Sequence, residues 1–97
     1  MSYSEMSDHK INVLVAKAID GNADESYPLY RHLEVFDPCN SWADAGPIIE
    51  ENKIDIIWYS GEQCWGAHKG MKCAYDLSPT RAAMTVFLMT QEKPDAA

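Results

Sequence analysis

One short stretch restricts this chain more than any other. Ile54-Asp55-Ile56-Ile57-Trp58-Tyr59 alternates Ile54, Ile56 and Trp58 with Asp55, Ile57 and Tyr59, the period of a strand with two different faces. Ser60-Gly61-Glu62-Gln63 follows with turn chemistry, and Cys64-Trp65-Gly66-Ala67-His68 reads as the returning strand. Trp58 and Trp65 flank the turn and are placed to pair across it. A lone hairpin is marginal in water, so a third strand or a helical cover must come from elsewhere in the chain. Residues 30–36, with Leu33, Val35 and Phe36 among charged neighbours, are the predicted third strand, and residues 69–77 read as a loop.

Three helices supply the cover. Ser7 or Asp8 caps the first, along which Ile11, Leu14, Val15, Ala18 and Ile19 recur at helical spacing until Asp20-Gly21-Asn22 ends it. The second starts near Ser41 with Trp42, Ala45, Ile48, Ile49 and Asn52 on one face. Gly46-Pro47 interrupts it, predicting two short pieces or one kinked helix, with Pro47 at the first position of the stronger half. Ser78 caps the third, Pro79 takes its first position, and Ala82, Ala83, Met84, Val86, Phe87 and Leu88 make it the most apolar and the central helix. The expected architecture is α+β: a small antiparallel sheet, the hairpin plus a third strand, packed against about three helices in a single domain spanning residues 1–97. Residues 93–97 are expected to form a frayed tail. A chain of 97 residues can build one core and little enclosed space beside it.

Charge narrows the choice of partners. The net charge is -7, from 15 acids against 8 bases. Between Asp20 and Asp55 the only bases are Arg31 and Lys53. Nucleic acid and anionic membrane surfaces are therefore not expected as partners, since both demand clustered Lys or Arg. Three Cys (Cys39, Cys64, Cys73), an opening Met1-Ser2-Tyr3-Ser4-Glu5 unlike a signal peptide and no apolar run of membrane length point to a reduced, cytoplasmic protein.

Three segments resemble the NinX-like family of small phage and prophage proteins, a domain of unassigned function. They are Tyr3-Ser4-Glu5-Met6-Ser7-Asp8 with the helix through Val15-Ala16-Lys17-Ala18-Ile19, then Ala43-Asp44-Ala45-Gly46-Pro47-Ile48-Ile49-Glu50-Glu51-Asn52-Lys53-Ile54, and Pro79-Thr80-Arg81-Ala82-Ala83-Met84-Thr85-Val86-Phe87-Leu88-Met89. The resemblance implies a phage or prophage accessory protein acting inside a bacterium, and it brings no catalytic residues with it. Residues 22–36 and 70–76 match weakly.

Chemistry-bearing residues are few. Cys64, His68 and Cys73, with Cys39, have a ligand-like order but lack the paired Cys-x2-Cys spacing, so no metal and no cofactor are expected. No sharp nucleophile turn accompanies any Cys/His pair, and the protein reads as a non-enzyme. Glu50 and Glu51 are neighbours on a helix and face different ways. The candidate ligand-binding set is Trp58, Trp65, Lys69, Lys72 and Arg81: aromatic rings for a base and cations for its phosphates. Arg81 falls in the first turn of a helix, where the dipole disfavours a cation, so either Asp76 or a bound phosphate has to compensate. Two functions compete on this basis. One is a binding module engaging a host protein, and the other is a protein that binds or sequesters a nucleotide-like signal to counter host defence. A homodimer is compatible with both.

Overall fold

The computed structural model describes residues 3–19 and 36–92. A turn of 3-10 helix, Tyr3–Glu5, leads into α1 (Asp8–Ile19); after it come α2 (Trp42–Asn52), β1 (Asp55–Tyr59), β2 (Cys64–Lys69), β3 (Lys72–Asp76) and α3 (Pro79–Gln91). The architecture is α+β, with three helices and a three-stranded antiparallel sheet of order β1-β2-β3.

The helix starts are capped as their sequences dictate. Ser7 Oγ accepts from the Lys10 N–H at 3.1 Å, Ser41 Oγ from that of Asp44 at 3.3 Å, and Ser78 Oγ from that of Arg81 at 3.3 Å. The Asp20-Gly21-Asn22 stop of α1 lies outside the described residues. α2 runs through Gly46-Pro47 as one helix, so Pro47 sits inside it and does not open a second piece. Pro47 deprives the Ala43 carbonyl of its partner, but both residues are on the exposed side, where water can take that role. Trp42, expected on the buried face, begins the helix at its open end and is 57% exposed.

The first hairpin pairs as expected, Trp58 opposite Trp65 and Ile56 opposite Ala67. The third strand among the described residues is Lys72–Asp76, within the stretch expected to be a loop. Of the expected strand over residues 30–36, only Phe36 lies among the described residues, and it is not in a strand. What makes β3 is a two-residue turn: Lys69 and Lys72 face each other across Gly70-Met71, and Gly70 has φ +60, which a residue with a side chain adopts only under strain.

α3 is central. It packs across β2 and β3 on one side and against α1 and α2 on the other. Ala82, Ala83, Met84, Val86, Phe87 and Leu88 are all buried. They meet Ile11 and Val15 of α1, Ala45 and Ile48 of α2, Ile54, and Ala67 at the middle of the sheet. The register places Ile56, Trp58, Trp65, Ala67, Lys69, Lys72, Ala74 and Asp76 on the helix side of the sheet. Asp55, Ile57, Tyr59, Cys64, Gly66, His68, Cys73 and Tyr75 fall on the opposite, outward side.

A polar knot closes one end of this core. The Arg81 side chain is 12% exposed. Its Nη1 donates to Asp8 Oδ1, its Nη2 to the carbonyls of Tyr3 (3.0 Å) and Met6 (2.6 Å), and its Nε faces Asp76 Oδ2 at 3.2 Å. Beside it, buried Asn12 donates to Asp37 Oδ1 at 2.8 Å and accepts from the Cys39 N–H at 3.2 Å. Ser78 and Thr80 donate to the Cys39 carbonyl. The Asn40 side-chain amide, and after it Arg81, hold the Asp8 carboxyl below the usual aspartate range against the opposing effect of burial.

Replacing Arg81 with Met leaves two carboxylates and two carbonyls without their donor, and should destabilise the protein by about 2–4 kcal/mol in urea unfolding. Because the folded Asp8 pKa is lowered, its contribution is complete above the ordinary aspartate value of about 3.9 and disappears as pH falls through the folded value. Acid unfolding of Asp8→Asn should accordingly show a shallower loss of stability below pH ~4 than the parent protein.

Candidate functional site

The outward side of the sheet is organised around an absent side chain. Gly66 lies in the middle strand with Ile57 beside it on β1 and Tyr75 beside it on β3, while Tyr59 approaches diagonally and His68 from two residues along β2. Their rings close over the glycine. A Cβ there would stand 2.5 Å from Tyr59 Cε2, 3.0 Å from His68 Nε2 and 3.1 Å from Tyr75 Cε1. Any other residue would push the three rings apart.

The cluster is tightly made. Tyr59 and Tyr75 meet edge to face with centroids 5.6 Å apart, and His68 and Tyr75 likewise at 5.8 Å. The Tyr59 hydroxyl and His68 Nε2 are hydrogen-bonded at 2.8 Å. The neighbouring Cys73 side chain raises the Tyr75 phenol above its ordinary pKa. Where this cluster reaches the first turn, Tyr59, Tyr75, Glu62 and Cys64 line a cleft of about 360 Å3. Tyr75 is 56% exposed and Ile57 44%, so the surface is apolar and open among the described residues.

A larger hollow of about 440 Å3 lies between the helices. Its walls include Ile19 and Phe36, the two ends between which residues 20–35 lie outside the described chain, so its outline is incomplete.

The residues singled out from sequence do not assemble into one surface. Trp58 and Trp65 do pair, with centroids 5.2 Å apart, but on the helix side of the sheet at its Asp76 end. Lys69 and Lys72 face each other at the opposite end, four residues along β2 and therefore roughly 13 Å away. Lys69 donates to the Asn52 carbonyl at the end of α2, where a cation suits the helix dipole. Arg81 is occupied by the knot, and Asp76 gives the compensation expected of it, joined by Asp8.

Of the residues the structure does bring together, Tyr59, Tyr75, Cys64 and His68 were visible as residue types. Their convergence was not, because it requires β3 and the placement of Gly66 beneath them. Cys64 and His68 share the outward face, as a regular β2 demands, yet are themselves separated by four residues. Among the described residues no three His, Cys, Asp or Glu side chains are grouped to hold a metal ion.

These features define a small layered α+β protein, three helices on one side of a three-stranded sheet and an aromatic surface on the other. The chain belongs to the bacteriophage P22 NinX family: the family model described as Bacteriophage P22, NinX matches residues 2–91. It is thus a phage accessory protein. No curated protein and no solved structure matches the sequence. Among the described residues no helix is long and apolar enough to cross a membrane.

The three thiols differ in access. Cys39 is fully buried, and burial pushes its thiol up to about 12, whereas Cys64 is half-buried and Cys73 exposed. Alkylation of the native protein should modify Cys73 first and Cys64 more slowly, with Cys39 reacting only once the protein unfolds. Peptide mapping by mass spectrometry reads the order directly, and labelling of Cys39 in the native state would contradict the packing described.

Proposed function

We propose that this phage accessory protein is a non-enzymatic binding module that docks on a host protein in the bacterial cytoplasm through the outward face of its sheet. The observation that carries the reading is the aromatic cluster of Tyr59, His68 and Tyr75 over Gly66, on a side of the sheet whose strands present no Lys or Arg. Exposed tyrosines are enriched where proteins meet, because one ring offers apolar area together with a polar tip and loses little entropy on binding. A layered cluster of this kind is a larger apolar feature than scattered surface side chains.

The use of the polar groups supports a non-catalytic role. Arg81, Asp8, Asn12, Asp37, Ser78 and Thr80 are taken up in holding the chain together. The nucleotide-binding alternative drew on Trp58, Trp65, Lys69, Lys72 and Arg81 acting as one surface. Their separation in the fold leaves the docking reading better supported.

Cys73 gives a handle on the face itself. With Cys64 replaced by Ser, a photoactivatable crosslinker on Cys73 should capture a specific host protein in bacterial extract. The Tyr75→Ala variant should lose that product, and a crosslinker on Lys10→Cys of α1 should not give it. A product unaffected by Tyr75→Ala, or the same product from α1, would refute docking through this face.

A further inference from the structure

The cleft at the first turn has a chemistry of its own. Tyr59 and Tyr75 supply two phenol rings as walls, Cys64 a soft side, and Glu62 a carboxylate. Glu62 is exposed and makes no hydrogen bond or ion pair with any described residue. Its volume of about 360 Å3 falls at the small end of ligand-sized pockets, roughly 300–1,000 Å3.

Charge is distributed about the sheet unevenly. On the outward rows of the three strands the only fixed charge is Asp55, whereas Lys69 and Lys72 belong to the helix-side rows. Glu62 adds a second negative charge at the edge of the same face. The chain as a whole carries -7. An anionic or phosphorylated segment approaching the outward face would meet carboxylates and the electron-rich faces of phenol rings, with no Lys or Arg on the outward rows to receive it. A basic segment would meet complementary charge at every distance.

We propose that the docking partner is a basic protein segment, and that one of its arginine side chains enters the cleft at the first turn, lying against the Tyr59 and Tyr75 rings that line it, with its guanidinium on the Glu62 carboxylate. This rests on the reading of the outward face as a docking surface. Arginine fits better than lysine for geometric reasons. A planar guanidinium stacks on a tyrosine ring and still directs two parallel N–H groups at a carboxylate, while an ammonium offers a single, strongly hydrated point charge. Ile57, exposed on the same outward face two residues along β1 from Tyr59, gives the apolar stems of neighbouring basic residues a surface to lie on.

The test uses the intact protein and N-acetyl-arginine amide as the probe, at matched ionic strength. N-acetyl-citrulline amide, its uncharged isostere, serves as the control, and the Tyr59 and Tyr75 ring resonances are followed by NMR. The arginine probe should move both rings saturably. Citrulline should bind roughly two- to fivefold more weakly or worse, and Glu62→Gln and Tyr75→Ala should each weaken the arginine probe by a similar factor. Both substitutions are on exposed residues, and unchanged backbone resonances elsewhere will confirm that the fold is kept.

Equal binding of the two probes, or no movement of either ring, would overturn the proposal. If the Cys73 crosslink still captured its partner in that case, docking would stand and only the basic character of the partner would fall. Saturable arginine binding without any crosslinked partner would overturn the proposal in the other way, leaving a site for free guanidinium compounds.

Discussion

One guanidinium holds the two ends of the described chain together. Arg81 reaches back across more than seventy residues to Asp8 and to the carbonyls of Tyr3 and Met6, and sideways to Asp76 at the end of the sheet. It stands in the first turn of α3, where the helix dipole alone would repel it, so the two carboxylates are a requirement of its position. Lysine could not do the same work, having no planar fork with which to serve carbonyls and carboxylates at once. With this end fixed, α1 and β3 are both registered against α3. The loop at Asp37–Asn40 is drawn in by Asn12, Ser78 and Thr80.

That arrangement separates two kinds of surface. The helix side of the sheet carries the fold: Ala67 and Ala74 are small enough for α3 to lie close against β2 and β3, and Lys69 at one end and Asp76 at the other serve helix ends. The outward side has no helix over it among the described residues, and there Tyr59, His68 and Tyr75 gather. Gly66 links the sides, because the strand can be flat against α3 below and carry three packed rings above only if that position has no side chain. Family membership accounts for the phage origin of the chain, while the chemistry of the face has to be reasoned from its own residues.

Most of the fold was legible in the sequence. The alternation of Ile54 to Tyr59, the Ser-capped starts of the helices and the apolar stripe of α3 each name their element. β3 escaped because Lys72-Cys73-Ala74-Tyr75-Asp76 carries only one small apolar residue on the covered face, which gives hydrophobic alternation almost nothing to register. Its signal lay in the turn instead, in a glycine between two lysines. The candidate site suffered from the same omission. Without β3, Tyr75 has no place beside Gly66, and the aromatic residues sort by number along the chain, which favours the tryptophans. From sequence, Arg81 at a helix start needs an anionic partner, which Asp76 is near enough to supply, whereas Asp8 sits too far away in the chain for spacing to suggest it.

On the docking proposal the outward face is the working surface and the helix side is not. Hydroxyl-radical footprinting of the intact protein in bacterial extract, compared with buffer, tests this at the level of single side chains. Protection of Tyr59 and Tyr75, with Trp42 and Trp58 reacting equally in both, is the result this account predicts. Protection centred on Trp42 and Trp58, with Tyr75 still fully reactive, would contradict it.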